Sequence, residues 1–425
     1  MIVEWLYKVS VNANGRWRSY GLASVALILR IRYMFRRMQV KRSMTKRPLR
    51  VLFILSEAAK WKMQTVYEKM LASPREYEPY VCPTIMDRGW IRDDLHAEIL
   101  RRARSFFSGK NIRMLDVCDG ENNPIPLRKF NPDIVIYQQP WGMAACQAPI
   151  SVSRYALTFY SPYYVALCGA PWLAYQAPFF KTIYAQFFEN EAWVKYYRRQ
   201  VSSFRQGAIW AAVGCPFRDE IAAVGPRLCH RKCVIYAPHW DFRMNGVAES
   251  SRGTFAETGK LILDYAKRHR DIEWIFKPHP VLKGKLTQRG LMTEEEVECY
   301  YSDWASIGEV MQSGYYLTAF ARSSAMIADG VTSFLPEYTM TDRPLVWINL
   351  HRIELFPPAK KLGDIVYQVR SLDELEQCLD RIVVHGDDCL KVSRKSGLKE
   401  IGYDGGGVAE RFLEVLRMII TTGKV

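Results

Sequence analysis

The chain has 425 residues, 49% of them hydrophobic, which is enough to bury two substantial cores, so two domains are expected. Its formal charge of +15 is unevenly spread: residues 1–50 hold twelve Lys/Arg and one acidic residue, Glu4, a net of +11, whereas the other 375 hold 47 basic and 43 acidic residues, a net of +4. The basic balance therefore belongs to the leader, and nucleic acid is excluded as an expected partner of the body.

Within the leader, residues 21–29 form an apolar run of only nine residues, too short to cross a bilayer, followed by Arg30, Arg32, Arg36, Arg37, Lys41 and Arg42. An apolar patch with a polybasic tail suits an anionic membrane surface, each nearby cation contributing roughly 1 kcal/mol. A disordered basic tail is the competing reading. A secretory signal fits less well, because the charges follow the apolar run and no small-residue cleavage site is evident. Ten cysteines are scattered, mostly in apolar contexts, which suits a reducing compartment; Cys229, His230 and Cys233 resemble half of a metal site with no second half. The expected location is cytoplasmic, peripheral on the inner face of the cell membrane.

The folded body is expected to start near residue 48. Residues 51–55 are a β-branched and aliphatic run that reads as a first strand, ended by Ser56-Glu57, and residues 61–71 have helical spacing. A strand at 80–83, a long basic helix at 91–107 and a strand at 133–137 follow, the alternation expected of a parallel, doubly wound sheet. The loops at the carboxyl ends of its strands should line a cleft, and two stand out, at residues 56–62 and 138–141. Lys60, Trp61 and Lys62 are candidates for holding an anionic acceptor; equally, Trp61 is core and the lysines face solvent. Glu57, directly after the strand, stands where a catalytic carboxylate is often found. Residues 155–188 are rich in aromatics and poor in charge, a pattern compatible with interior packing, a membrane-dipping face or an acceptor groove that includes Tyr163. Residues 208–213 read as the last strand of this half, and the first domain is expected to end near Pro226.

The second half opens with a strand at 232–237 that runs into Tyr236-Ala237-Pro238-His239-Trp240-Asp241-Phe242-Arg243. A helix at 254–269 and a strand at 272–276 lead into Lys277-Pro278-His279-Pro280, where two prolines of fixed φ hold Lys277 and His279 stiffly at a strand end. Residues 315–319 and 325–328 read as strand pieces, with Arg322-Ser323-Ser324 between them as a phosphate contact. The apolar run ends at Asp329, Gly330 opens a turn, and Thr332 and Ser333 sit where a helix begins. Hydroxyls and free backbone N–H groups at such a terminus favour an anion. Glu337, about one turn further on, is placed to accept hydrogen bonds from the hydroxyls of a ribose. Arg343-Pro344 ends the helix and starts a strand at 345–348. An amphipathic helix is expected at 372–384, and Gly405 to Gly407 precede a final helix at 408–420 that crosses back to the first domain by analogy with two-domain transferases.

Three of these segments carry a family resemblance. Asp329, Thr332, Ser333, Glu337, Tyr338 and Pro344 follow the C-terminal signature of the CDP-glycerol glycerophosphotransferases, the teichoic-acid and capsule polymerases and primases. Lys277 to Pro280 resembles the family's basic-x-His-Pro motif, and residues 236–243 its Tyr-Ala/Thr-Pro loop, with His239 in place of the usual Thr. The resemblance covers residues 230–350 well, 50–140 loosely and the middle poorly. The turn at Gly330-Val331 is one residue longer than usual. The family's His-Gly motif is absent, since no histidine lies between His96 and His230.

The resemblance implies an α/β fold of two Rossmann-like domains facing a cleft, the GT-B type. Expected boundaries are 1–47 for the leader, 48–226 for an acceptor-side domain, 227–404 for a nucleotide-binding domain and 405–425 for the returning helix. It implies an enzyme that moves a polyol phosphate from a CDP-activated donor to a hydroxyl of a glycan or lipid-linked acceptor in cell-envelope or capsule synthesis, CMP leaving. Lys277, Arg243, Asp329, Thr332 and Ser333 would hold the phosphates and Glu337 the ribose, with His279, His239 and Glu57 as catalytic candidates. No Asp-x-Asp motif is present, so the sequence requires no metal cofactor, although Mg²⁺ bridging the phosphates is compatible with it. Two alternatives stay open: a nucleotide-sugar glycosyltransferase on the same fold, and a membrane-bound scaffold with a degenerate site.

Overall fold

A computed structural model describes residues 2–13, 15–86, 93–165, 167–168, 178–200, 208–225, 231–242, 253–312, 315–403 and 405–425. The chain divides into two compact units, one of Met1–Tyr164, Ala170–Phe217 and Gly407–Val425, the other of Val165–Gly169 and Arg218–Gly406.

The first unit is built on β1 (Leu49–Leu55), β2 (Tyr77–Pro83), β3 (Ile134–Tyr137), β4 (Leu157–Tyr160), β5 (Ala185–Phe188) and β6 (Ile209–Ala212). They form one parallel sheet in the order β2-β1-β3-β4-β5-β6. Continuous apolar strands such as Ile134–Tyr137, buried at every position, belong in a sheet covered on both faces. The aromatic stretch supplies β4 and β5, with Phe159 stacked on Phe187 at 5.7 Å, so of its three readings interior packing holds for these strands. The C-terminal helix Val408–Thr422 lies in this unit and sets Phe412 against Phe187 at 4.4 Å.

The leader is helical, not a free tail. Helices Ile2–Asn12 and Gly15–Met44 pack on the first unit, with Leu22, Val25, Leu29, Tyr33 and Val40 buried. Glu4 joins Arg32 and Arg154, and these two guanidinium groups hold its carboxyl well below the usual carboxylate range. Among the described residues no helix is long and apolar enough to cross a membrane.

The second unit carries β7 (Cys233–Ala237), β8 (Glu273–Phe276), β9 (Gly308–Val310), β10 (Ala325–Asp329), β11 (Leu345–Ile348) and β12 (Tyr367–Val369), again all parallel, in the order β12-β11-β10-β7-β8-β9. Two Rossmann-like units of this kind are the expected GT-B type of α/β architecture. Residues 315–319 are a correction: Leu317–Arg322 is a helix, not a strand. Its C-terminal carbonyls at Phe320, Ala321 and Ser323 all accept from the Arg343 guanidinium, which satisfies the acceptors a short helix leaves open. The amphipathic segment at 372–384 is α-helical only to Leu379 and continues as a π-helical turn, Asp380–Val384.

Candidate functional site

In an open parallel sheet the chain leaves the first strand of the unit in one direction and later returns on its other side. The gap at the carboxyl ends of those two neighbours is where such sheets bind ligands. In the first unit that switch lies between β1 and β3, in the second between β7 and β10.

At the first switch the loops after β1 and β3 are tied together by buried polar groups. Ser56 Oγ donates to Gln139 Oε1 at 2.8 Å, and the Lys62 backbone N–H donates to Gln138 Oε1 at 3.0 Å. Lys60 Nζ donates to Ser56 Oγ at 2.9 Å, pairs with Glu57 Oε1 at 2.6 Å and lies 5.8 Å from the centre of the Tyr163 ring. Lys62 Nζ sits 3.8 Å from the centre of the Phe217 ring. Glu57, Lys60 and Tyr163 are thus brought together, and both lysines are buried, not solvent-facing. Trp61 parts from them. Its ring is 3% exposed and meets Phe53 and Phe107 edge-on at 5.5 and 5.6 Å, while Nε1–H donates to Gln64 Oε1. The helix expected from residue 61 starts only at Gln64, so Trp61 turns inward and belongs to the core, the second of its two readings.

At the second switch three loops converge. After β7, the His239 backbone follows Pro238, and Asp241 N–H donates to His239 Nδ1 at 3.1 Å. After β8, His279 N–H donates to the Pro238 carbonyl at 3.0 Å, which pins the two loops together, and Val281 N–H donates to His279 Nδ1 at 3.3 Å. The two imidazole centres are 5.7 Å apart, with Trp240 5.5 Å from one and 6.1 Å from the other. A ring nitrogen that accepts a backbone N–H carries no proton, so in each neutral ring the proton is on Nε2. Burial, with His239 and Lys277 nearby, lowers the His279 pKa to about 3, so this ring is neutral at physiological pH.

The loop after β10 supplies the third side. Asp329 is wholly buried; Thr254 donates to its Oδ1 through both its backbone N–H and its hydroxyl, the latter at 2.6 Å. Its Oδ2 is buried with no hydrogen-bond partner among the described residues, and burial raises its pKa to about 7. Thr332 Oγ1 accepts from Phe334 N–H at 3.1 Å, and Ser333 is the N-cap residue of Phe334–Thr339. That helix has six residues, so the macrodipole expected to favour an anion there is short. Lys277 is buried, with Nζ 5.9 Å from the centre of the Phe334 ring, which sets the cation of the β8 loop beside the β10 loop. Glu337 is 4% exposed, and the Tyr316 hydroxyl donates to its Oε2, so one of the oxygens expected to meet a ribose already has a protein partner. Arg243 lies outside the described residues, as do Cys229 and His230.

Sequence reasoning passed over Thr254, Tyr316, Glu257 and His351. His351 Nε2, after β11, lies 3.6 Å from Glu257 Oε1. Thr254 carried only the signal of the first residue of a helix, and Tyr316 was concealed in a span with strand-like composition. Among the described residues no group of three or more His, Cys, Asp or Glu side chains is gathered as a metal site. The three loops carry the imidazoles of His239 and His279 and the Lys277 ammonium beside the carboxylates of Asp241 and Asp329 and the hydroxyls of Thr332 and Ser333.

No protein-family model matches the sequence, and no curated protein is similar to it. Solved structures share the fold. UDP-GlcNAc 2-epimerase from Neisseria meningitidis bound to UDP-GlcNAc superposes with a TM-score of 0.55 at 13% identity, over 87% of this chain and 100% of that one. The S. aureus MnaA–UDP complex gives 0.55 at 10% identity over 89% and 99%. A putative UDP-N-acetylglucosamine 2-epimerase from Listeria monocytogenes gives 0.53 at 12% over 88% and 97%. These findings correct the resemblance to the CDP-glycerol glycerophosphotransferases. The motifs at 277–280 and 329–344 mark strand ends of a GT-B type fold shared with UDP-sugar enzymes, and the CDP-activated donor, with the teichoic-acid and capsule assignment, falls away.

Proposed function

We propose that the protein processes a UDP-sugar, holding the nucleotide diphosphate at the β7/β10 switch of the second unit and transferring the sugar to an acceptor hydroxyl. The observation that carries this reading is the convergence there of His239, His279 and Lys277 on the two neighbouring loops after β7 and β8. In glycosyl transfer the acceptor oxygen bonds to the anomeric carbon, the bond from that carbon to the UDP oxygen breaks, and negative charge grows on the leaving diphosphate. The Lys277 ammonium and the Nε2–H donors of the two imidazoles are the groups we assign to that charge. Because His279 is already uncharged and both loops are pinned by backbone hydrogen bonds, little reorganisation accompanies the step. The acceptor we assign to the first unit's switch loops, with Lys60, Lys62 and Tyr163, and Glu57 as the carboxylate for its proton. The choice of UDP is supported by the ligands of the UDP-GlcNAc 2-epimerase and MnaA structures that share the fold.

Calorimetric titration of the full-length protein with UDP, CDP and GDP tests the donor. A UDP preference of tenfold or more, about 1.4 kcal/mol, is expected. A donor labelled in both sugar and β-phosphate then tests the reaction: the sugar label should enter product while phosphorus stays in UDP. Preference for CDP, or phosphorus in the product, would overturn the proposal.

Epimerisation of the same UDP-sugar is a second reading, favoured by one observation. Asp329 is a buried carboxyl with a pKa near 7 and an open Oδ2, a group able to hold or release a proton at neutral pH. Deuterium entering the sugar ring in heavy water without any acceptor would select it, and UDP release that depends on an acceptor would select transfer.

A further inference from the structure

The helix Gly15–Met44 has two apolar faces, and the first unit accounts for one of them. Its inward face is docked: Tyr33 Oη lies 2.5 Å from Thr158 Oγ1 and donates to the Thr182 carbonyl at 2.6 Å, while Arg37 donates to the carbonyls of Ile420 and Thr421 at 3.2 and 3.0 Å. The outward face carries Trp17, Tyr20, Leu27, Ile31, Phe35 and Met38, which are 37–81% exposed. Their spacing follows the three-and-four rhythm of a single helix face, and at 1.5 Å per residue the stripe runs for about 32 Å. The neighbouring helix Ile2–Asn12 exposes Trp5 and Val9 as well. Single exposed apolar residues need no explanation, but a continuous stripe of this length does.

We propose that this stripe is a membrane-surface face, lying in the plane of an anionic bilayer with its apolar side chains at the boundary between headgroups and acyl chains. Charge complementarity selects that occupant. The first 50 residues carry a net of +11, and Arg30 and Arg42 are exposed within a turn of Ile31 and Met38. Basic side chains beside Trp, Tyr, Leu and Phe on one helix face are what a helix lying on lipid phosphates requires. A second copy is the wrong partner, because a two-fold contact through this face would set two segments of +11 against each other. The helix does not cross the bilayer in this arrangement, since its inward face is occupied by the protein. The lipid-facing residues also differ from those the sequence singled out: of the apolar run 21–29, Leu22, Val25, Ala26 and Leu29 are buried in the protein and only Leu27 joins the stripe.

The test is co-sedimentation of the full-length protein with vesicles of phosphatidylcholine and phosphatidylglycerol, mixed roughly two to one, against vesicles of phosphatidylcholine alone. Binding to the anionic vesicles should weaken as salt is raised. It should fall tenfold or more both on neutral vesicles and in the double variant Ile31→Glu, Phe35→Glu. Both positions are exposed, so the melting temperature and UDP affinity of that variant should stay at the wild-type values. As a second measurement, quenching of tryptophan fluorescence by brominated lipid should drop in Trp17→Phe. Absence of binding to anionic vesicles, undiminished binding by the double variant, or a lipid-free dimer that the double variant dissolves would each overturn the proposal. Nucleotide binding is read separately and does not bear on it.

Discussion

The two switch points are built on the same topology but hold their charges differently. At the first, Lys60 is closed into a self-sufficient set, with Glu57 and the Ser56 hydroxyl within 3 Å and Gln138 and Gln139 bridging the loops. At the second, the buried Asp329 carboxyl keeps one oxygen with no hydrogen-bond partner among the described residues, beside the half-buried His279 ring. A buried charge that has found its partner stabilises a loop; buried polar groups kept short of partners are retained at a cost, which is the pattern of a site awaiting a ligand. The contrast says that changes at the second switch should be read out mainly in nucleotide binding and pH dependence, whereas at the first the paired lysine and glutamate also hold the loop in shape.

The sharpest way to break that contrast is Trp61→Ala. Removing a ring that is wedged between Phe53 and Phe107 should cost about 3–5 kcal/mol by chemical denaturation and leave UDP affinity untouched in whatever fraction stays folded. A selective loss of acceptor binding with unchanged stability would return Trp61 to the surface role.

The next effect concerns pH, and two groups of the second switch, His279 and Asp329, act in opposite senses. The His279 pKa falls from its usual value near 6.5 to about 3, so the unfolded chain binds more protons between those values and stability is lost as pH falls through that window. The Asp329 pKa rises from 3.8 to about 7, so the folded chain binds more protons in that window and stability is lost as pH rises through it. In the wild type the two slopes largely offset each other between about pH 4 and 6.5. Asp329→Asn should expose the His279 slope, with stability rising with pH, and His279→Gln should expose the opposite one, each by a few kcal/mol on the order of magnitude of such shifts. Denaturation curves at several pH values check this; parallel profiles for both variants would mean that the two groups are not perturbed in opposite directions.

The smallest effect on folding, though not on binding, is expected of Lys277→Met. Replacing a buried cation by an apolar chain of similar length is close to neutral for stability, whereas losing one charge-assisted contact to a diphosphate weakens UDP by roughly tenfold or more. Titration calorimetry beside thermal melting separates the two, and a large melting shift with unchanged affinity would make Lys277 a structural residue.

Much of this protein was legible in the order of its residues. Buried parallel strands are short, continuous apolar runs, so residues 51–55, 133–137 and 345–348 identify themselves, and Gly, Pro and the Ser/Thr pair mark where each run stops. Strands alternating with helices then leave little choice but two Rossmann-like units. Because ligand sites in such sheets sit at strand ends, the loops at 56–62, 138–141, 239–243, 277–280 and 329–333 could also be picked out in advance.

What these loops would meet could not be read that way. Whether Trp61 faces a ligand or the core depends on where the next helix starts, a matter of three residues settled by Phe53, Phe107 and Gln64. The apolar run of the leader was evident, but which side of the helix faces protein was decided by contacts with Thr158, Thr182 and the C-terminal helix, more than a hundred residues away. Composition and periodicity are local and determine which elements form; burial, protonation and pairing arise from groups distant in sequence, and only the tertiary structure brings Thr254 to Asp329 or Pro238 to His279.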